Sequence, residues 1–181
     1  GDCMRTKVLQ ESEIALFDVN KSRLNDSATV MRGLNKKINN GRAKIKTYLG
    51  KSQRKQALRG ADFVVNAIQV GGYDPCTITD FEIPKKYGLR QTIADTIGIG
   101  GIFRVLRTYP VMLEFAREME KVCPNAWLLN YTNPMCALTG GILRQTSVNA
   151  VGLCHSVQAC ATTLLRNMEM LDEVKNLQWK I

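Results

Sequence analysis

The chain has 181 residues, of which 45% are hydrophobic and 23% charged, values that suit one globular domain with a sizeable core. No apolar run approaches membrane-spanning length and no signal peptide is evident, so neither a membrane partner nor secretion is expected. Net charge is +9, with Lys and Arg spread through 21–59 and 85–107. Such a balance can mark nucleic-acid binding, but no nucleic-acid motif accompanies it, and it reads as solvated surface with no nucleic-acid partner. Six cysteines at positions 3, 76, 123, 136, 154 and 160 include no C-x-x-C pair, which excludes a zinc ribbon or a redox pair of that kind. Several lie in apolar runs, where a thiol behaves as a small buried hydrophobe. Reduced thiols and a cytoplasmic location are expected.

In chain order, 13–19 reads as a buried strand carrying an acid, Asp18, near its end. Residues 20–37 read as a helix, with Leu24, Ala28, Met31 and Leu34 near helical spacing. Asn39-Asn40-Gly41 is a turn. A short strand follows at 44–49, then a short helix at 52–58 that stops before Gly60. Residues 62–70 read as an apolar strand ended by Gly71-Gly72. Helix or structured loop is expected over 75–86, and a glycine-rich stretch over 88–101 carries Asp95. A long helix at 102–122 contains Pro110, which predicts a kink or break. Strand 126–129, helix 134–144, strand 150–153 and helix 156–168 complete the pattern, and the chain ends in a strand-like run at 177–181. Pro134 suits the first turn of its helix. Strands alternating with helices through short turns predict an α/β fold, a Rossmann-like, doubly wound, mostly parallel sheet. The chain lacks an initiator Met and ends inside a strand pattern, so it reads as a piece of a larger protein, truncated at both ends.

Ligands bind an open α/β sheet at the carboxyl ends of its strands. Asn130 and Asn133 follow one apolar run, and Cys154 and His155, the only histidine, follow another. Amide, thiol and imidazole would then meet in one crevice, a set suited to a metal that grips hydroxylated carbon. Each residue also has a plainer reading. Cys154 could be a core thiol, His155 a hydrogen-bonded structural histidine, and the asparagines could cap the helix that begins at Pro134. Asp18 stands where dinucleotide-binding folds place the acid that binds the adenosine ribose, about 20 residues after a glycine-rich phosphate loop. No G-x-G-x-x-G precedes it here, and a helix-capping Asp is the alternative. An acid at this place favours NAD over NADP, whose extra phosphate it repels. Gln69-Val-Gly-Gly72 ends the strand expected beneath the nicotinamide, where glycine allows close approach of backbone to ligand.

Taken together, six stretches resemble glycoside hydrolase family 4, most closely its α-galactosidase branch: Ala61-Asp-Phe-Val-Val65, Gln69-Val-Gly-Gly-Tyr-Asp-Pro-Cys-Thr-Ile-Thr-Asp-Phe-Glu82, Gln91-Thr-Ile-Ala-Asp-Thr-Ile-Gly-Ile-Gly-Gly-Ile102, Leu106-Arg-Thr108, Asn130-Tyr-Thr-Asn-Pro-Met135 and Val151-Gly-Leu-Cys-His-Ser-Val-Gln158. The resemblance implies that 1–181 is part of an NAD-binding Rossmann-like domain, without its first strand and phosphate loop and without the catalytic domain that follows. It implies Asp18, Asn66 and Gln69 as cofactor-binding residues and Cys154 as a ligand of Mn²⁺ or another divalent first-row metal. Asn133 would reach sugar hydroxyls, Asp95 would lie in the sugar-binding loop and His155 would protonate the leaving group. The second metal ligand and the catalytic base would lie past residue 181. Cys76-Thr77 stand near the place where phospho-glucosidase relatives carry an Arg for a phosphate, which points to a non-phosphorylated sugar, an α-galactoside. A homo-oligomer is expected at full length.

The chemistry that the resemblance implies departs from the two-carboxylate scheme of most glycosidases. NAD⁺ takes hydride from C3 of the sugar, the resulting ketone acidifies C2, a base removes that proton, and the aglycone leaves C1 before water and hydride return. The metal stabilises the enediolate oxygens. The alternative is an NAD-dependent hydroxy-acid dehydrogenase of the lactate or malate type, which needs a His–carboxylate pair and a substrate-binding Arg but neither metal nor thiol.

Overall fold

A computed structural model describes residues 1–92 and 97–170. Helix α1 (Asp2–Arg5) precedes β1 (Glu13–Asp18), α2 (Lys21–Asn39), β2 (Lys44–Leu49), α3 (Arg54–Leu58) and β3 (Phe63–Asn66). Then come α4 (Ile78–Lys86), α5 (Ile99–Val122), β4 (Trp127–Asn130), α6 (Met135–Gln145), β5 (Asn149–Gly152) and α7 (Ser156–Asn167). Every strand pairing is parallel. The fold is α/β and Rossmann-like, with helices supplying the crossovers that parallel strands require.

Local chemistry explains the punctuation. The Asn20 side chain accepts a hydrogen bond from the Arg23 N–H at 3.0 Å and caps α2. Leu24 and Ala28, four residues apart, are buried on one face of that helix. Its far end turns at Asn40, in the left-handed region at φ 52°. There the buried Asn35 side chain donates to the Ala43 carbonyl at 2.8 Å and accepts from the Ala43 N–H at 3.2 Å, which fixes the entry to β2.

The strands fall into β1-β2 and β3-β4-β5, with no ladder joining β1 to β3 among the described residues. The principal core lies under the second set. Met112, Ala116, Met119 and Cys123 of α5 and its end pack with Leu138 and Ile142 of α6, and with Leu128 and Ala150 of the strands. Helix α5 also reaches the first set. The Phe115 ring meets Phe17 of β1 edge-on, with centroids 5.5 Å apart, while the Arg54 guanidinium sits 4.5 Å over the same ring. Arg54, almost fully buried, pairs with Glu118 at 2.7 Å and with Glu114 at 3.2 Å. One helix thus braces both sets of strands.

Some expectations change. The strand expected over 62–70 ends at Asn66, because the Thr132 hydroxyl donates to the Ile68 carbonyl at 3.0 Å and draws the chain off the sheet. Pro110 does not break α5, which runs unbroken over its 24 residues. Its ring costs the Leu106 carbonyl a helical partner, but both residues are exposed, so water can take that carbonyl. Pro134 precedes α6 as its N-cap rather than opening the first turn. Of the cysteines, Cys123 is buried and Cys76 half-buried, whereas Cys3, Cys136, Cys154 and Cys160 are exposed. The exposed ones sit past a strand end or on solvent-facing helix positions, so the apolar runs around them do not bury them. The strand expected at 177–181 lies outside the described residues. No helix among the described residues is long and apolar enough to cross a membrane.

Candidate active site

Register aligns the carboxyl ends of three strands. Asn66 of β3 stands beside Asn130 of β4, and Asn130 beside Gly152 of β5. The row is extended by the Tyr131 N–H, which donates to the Asn66 carbonyl at 2.8 Å, and by the Leu153 N–H, which donates to the Asn130 carbonyl at 2.9 Å. A Cβ at Gly152 would overlap the Met135 sulfur and press on the Thr139 hydroxyl, so a larger residue there would oblige Met135 to move. The backbone beyond this row carries Asn133 on one side and Cys154-His155 on the other, all three exposed at the same end of the sheet.

The two asparagines of the 130–133 stretch have different fates. Asn130 is fully buried and Asn133 exposed. The Asn133 carboxamide oxygen accepts from the Met135 N–H at 3.3 Å, so the capping role and the open position coexist. Asn66 is also buried, and its Nδ2 donates to Asn130 Oδ1 at 2.9 Å and to Thr132 Oγ1 at 3.1 Å. The donor half of the Asn66 amide is thereby committed inside the protein. Gln69 is exposed, with its Nε2 donating to Thr77 Oγ1 at 3.3 Å.

The loop after β3 is held from α5. Arg107 Nε donates to the Val70 carbonyl at 3.1 Å, and the rest of its guanidinium grips both oxygens of the buried Asp80. Hydrogen bonding to Asp80 raises the Arg107 pKa, with the neighbouring charge adding to the effect. Gly71, at φ 84°, leaves no room for a Cβ against Cys76. Gly72 faces open space, so it alone of the two could admit a ligand's close approach. Arg107 and Asp80 carry no assigned role in the sequence, although both fall in matched stretches, Leu106-Arg-Thr108 and Gln69–Glu82; Thr77 enters there only as part of Cys76-Thr77.

At the end of β1, Asp18 accepts two bonds from Arg23, at 2.6 Å from Nε and 2.7 Å from an Nη, and one from the Asn20 N–H at 2.8 Å. The Arg23 hydrogen bond, above all, holds its carboxyl below the usual range. Asp18 is therefore an ionised acceptor at the strand end where a ribose would lie. Asp95 lies outside the described residues. His155 immediately precedes α7 and heads an open depression of about 520 Å³ whose lining comes from that helix and its start.

No cluster of three or more His, Cys, Asp or Glu side chains gathers among the described residues. This chain offers an exposed thiol, an adjacent imidazole and an exposed amide, a donor set that fits an ion completing its shell from elsewhere. For a dinucleotide, the fit is the ionised Asp18 at the end of β1 and the open Gly72 in the loop that follows β3.

A profile described as Family 4 glycosyl hydrolase matches residues 1–170. The chain belongs to that family. The family 4 chain is 54% identical to an alpha-galactosidase of Bacillus subtilis over 170 residues, 94% of this chain and 38% of that protein. It therefore spans well under half of that relative. A 6-phospho-beta glucosidase of Thermotoga maritima, solved with manganese, NAD⁺ and glucose-6-phosphate, superposes with a TM-score of 0.76 at 22% identity over 93% of this chain and 38% of that one. A malate dehydrogenase of Picrophilus torridus superposes at 0.58 with 15% identity over 88% of this chain and 44% of that one. Both structural likenesses concern the fold. The resemblance read from the motifs agrees with the family match and with its α-galactosidase relative.

Proposed function

We propose that this family 4 chain forms the nucleotide-binding part of an NAD- and divalent-metal-dependent α-galactosidase that works by redox-assisted elimination. The observation that carries the reading is the shared sheet end: Asn133 and Cys154-His155 follow neighbouring strands held in register at Asn130 and Gly152. The 54% identity to an α-galactosidase supports the sugar, and the manganese and NAD⁺ of the Thermotoga relative support the cofactors.

When bound, NAD⁺ supplies a reversible hydride acceptor for a sugar carbon, and the metal supplies Lewis-acid stabilisation of the adjoining oxygens. Asp18 accepts ribose hydroxyl hydrogens. Its charge disfavours a 2′-phosphate, so NAD is preferred over NADP. Asn66 and Gln69 line the cofactor side. Asn133 offers its carboxamide to sugar hydroxyls. Cys154 would hold the metal through its sulfur as thiolate, a form that metal binding favours. His155, beside it, holds a proton for the leaving oxygen. Asp95 completes the sugar loop. The full-length protein would act in the cytoplasm as a homo-oligomer.

The test is hydrolysis of an aryl α-galactoside by the complete gene product, with NAD⁺, Mn²⁺ and thiol omitted in turn. Loss of activity on each omission is expected. Turnover indifferent to NAD⁺ would mean a conventional hydrolase. Oxidation of a hydroxy acid without glycoside cleavage would mean a dehydrogenase.

A further inference from the structure

We infer that Asn130 and Thr132 are positioning residues that set the angle at which Asn133 is presented, a role that rests on the reading of Asn133 as the sugar-facing amide. An asparagine side chain can accept two hydrogen bonds at its oxygen and donate two from its nitrogen. In Asn130 all four are made inside the protein. Its Oδ1 accepts from Asn66 Nδ2 at 2.9 Å and from the Thr132 N–H at 2.9 Å. Its Nδ2 donates to the Thr132 carbonyl at 3.2 Å and to Thr139 Oγ1 at 3.0 Å. With no capacity left and no exposure, Asn130 has nothing to offer a ligand.

What it does is grip the backbone. One rigid carboxamide holds both the N–H and the C=O of Thr132, and so orients the peptide groups on either side of that residue. The second of those peptides leads directly into Asn133. The Thr132 hydroxyl adds a cross-tie, accepting from Asn66 Nδ2 at 3.1 Å and donating to the Ile68 carbonyl at 3.0 Å. The cofactor-side strand end and the sugar-side turn are thus locked to one another through two buried side chains. The Thr139 contact anchors the same cluster to α6. Every side-chain polar atom of Asn130 and Thr132 is paired, and such buried pairing is rigid, because breaking one bond strands its partner without water. An error of about 1 Å in a substrate-positioning group can cost about 100-fold in rate.

The decisive variants are Thr132→Val, which keeps shape and loses the hydroxyl, and Thr132→Ser, which keeps the hydroxyl. In the complete protein, Thr132→Val should lower kcat on an aryl α-galactoside by about 10- to 100-fold while KM for NAD⁺ moves less than about threefold. Thr132→Ser should restore most of kcat. A Thr132→Val enzyme with kcat within about twofold of the parent, or equal losses in both variants, overturns the inference. A crystal structure of Thr132→Val gives a reading independent of the reaction. The Asn133 carboxamide should be displaced, and finding it in place overturns the inference whatever the enzyme hydrolyses. A parent protein without NAD⁺-dependent hydrolysis would sink the functional reading alone, leaving the displacement to decide this one. If Thr132→Val does not fold, Thr139→Val and Thr139→Ser pose the same comparison from the far side of Asn130. The Val variant should lose kcat several-fold and the Ser variant should keep it, and equal kcat values overturn the inference.

Discussion

Arg23 donates to Asp18 twice and so extends to lower pH the range in which this strand-end carboxylate, proposed to accept ribose hydroxyls, stays charged. Its folded pKa lies below the unfolded one, so the stabilisation it brings is complete above the unfolded value and disappears as pH falls through the folded one. Arg23→Ala should move the Asp18 titration up toward the ordinary carboxylate range, read from its carboxyl carbon shift against pH. An unmoved midpoint would show that Asn20 and the backbone suffice. Arg23 is itself well exposed, so salt should blunt the effect. The pair could not be read from sequence as a contact, although Asp18 could be read as an acid at a strand end. The same holds for the asparagines 130 and 133. Both follow one apolar run, and only burial shows that one amide is spent inside and the other offered outside.

Among the elements, α5 matters most to the architecture because it is tied to both sets of strands. Arg54 of α3 lies buried against it, bonded to Glu118 and Glu114 and stacked on Phe115. Removing Arg54 leaves Glu118 and Glu114, with 18% and 51% of their side chains exposed, partly in water, so the cost falls short of the about 3 kcal/mol of a fully buried pair, at about 2 kcal/mol. Arg54→Ala should therefore lower unfolding stability by about that much in urea titrations, and a loss under about 1 kcal/mol would mark the pair as superficial. Arg54, chiefly through its hydrogen bond, holds the Glu118 carboxyl below its usual range. That stabilisation is present above the ordinary carboxylate pKa and fades as pH falls through the lowered one, so Glu118→Gln should flatten the acid limb of the stability profile. The order of strands and helices was legible in sequence because periodicity and glycine punctuation are local. The early end of β3 was not, since the bond that turns the chain away comes from Thr132, 64 residues from Ile68. Pro110 leaves α5 unbroken for the opposite reason: the proline rule is local, but its cost depends on whether the orphaned carbonyl faces water.

At the scale of the whole molecule, the strands among the described residues form two parallel sets, both of them packed against α5. That arrangement has a consequence for how the polypeptide behaves in solution. Among the described residues, β3 pairs on one side only, and its Phe63 and Val65 side chains are 61% and 65% exposed. A bare apolar strand edge is a template for other chains, and natural proteins blunt such edges with charge. A polypeptide of these 181 residues should therefore self-associate as concentration rises, through intermolecular β pairing. Val65→Lys should hold it monomeric to higher concentration in sedimentation velocity, whereas equal self-association of the two would place the sticky surface elsewhere. The strand that holds Asn66 in register with Asn130 on one side leaves, on its other side, an apolar edge open to other chains among the described residues.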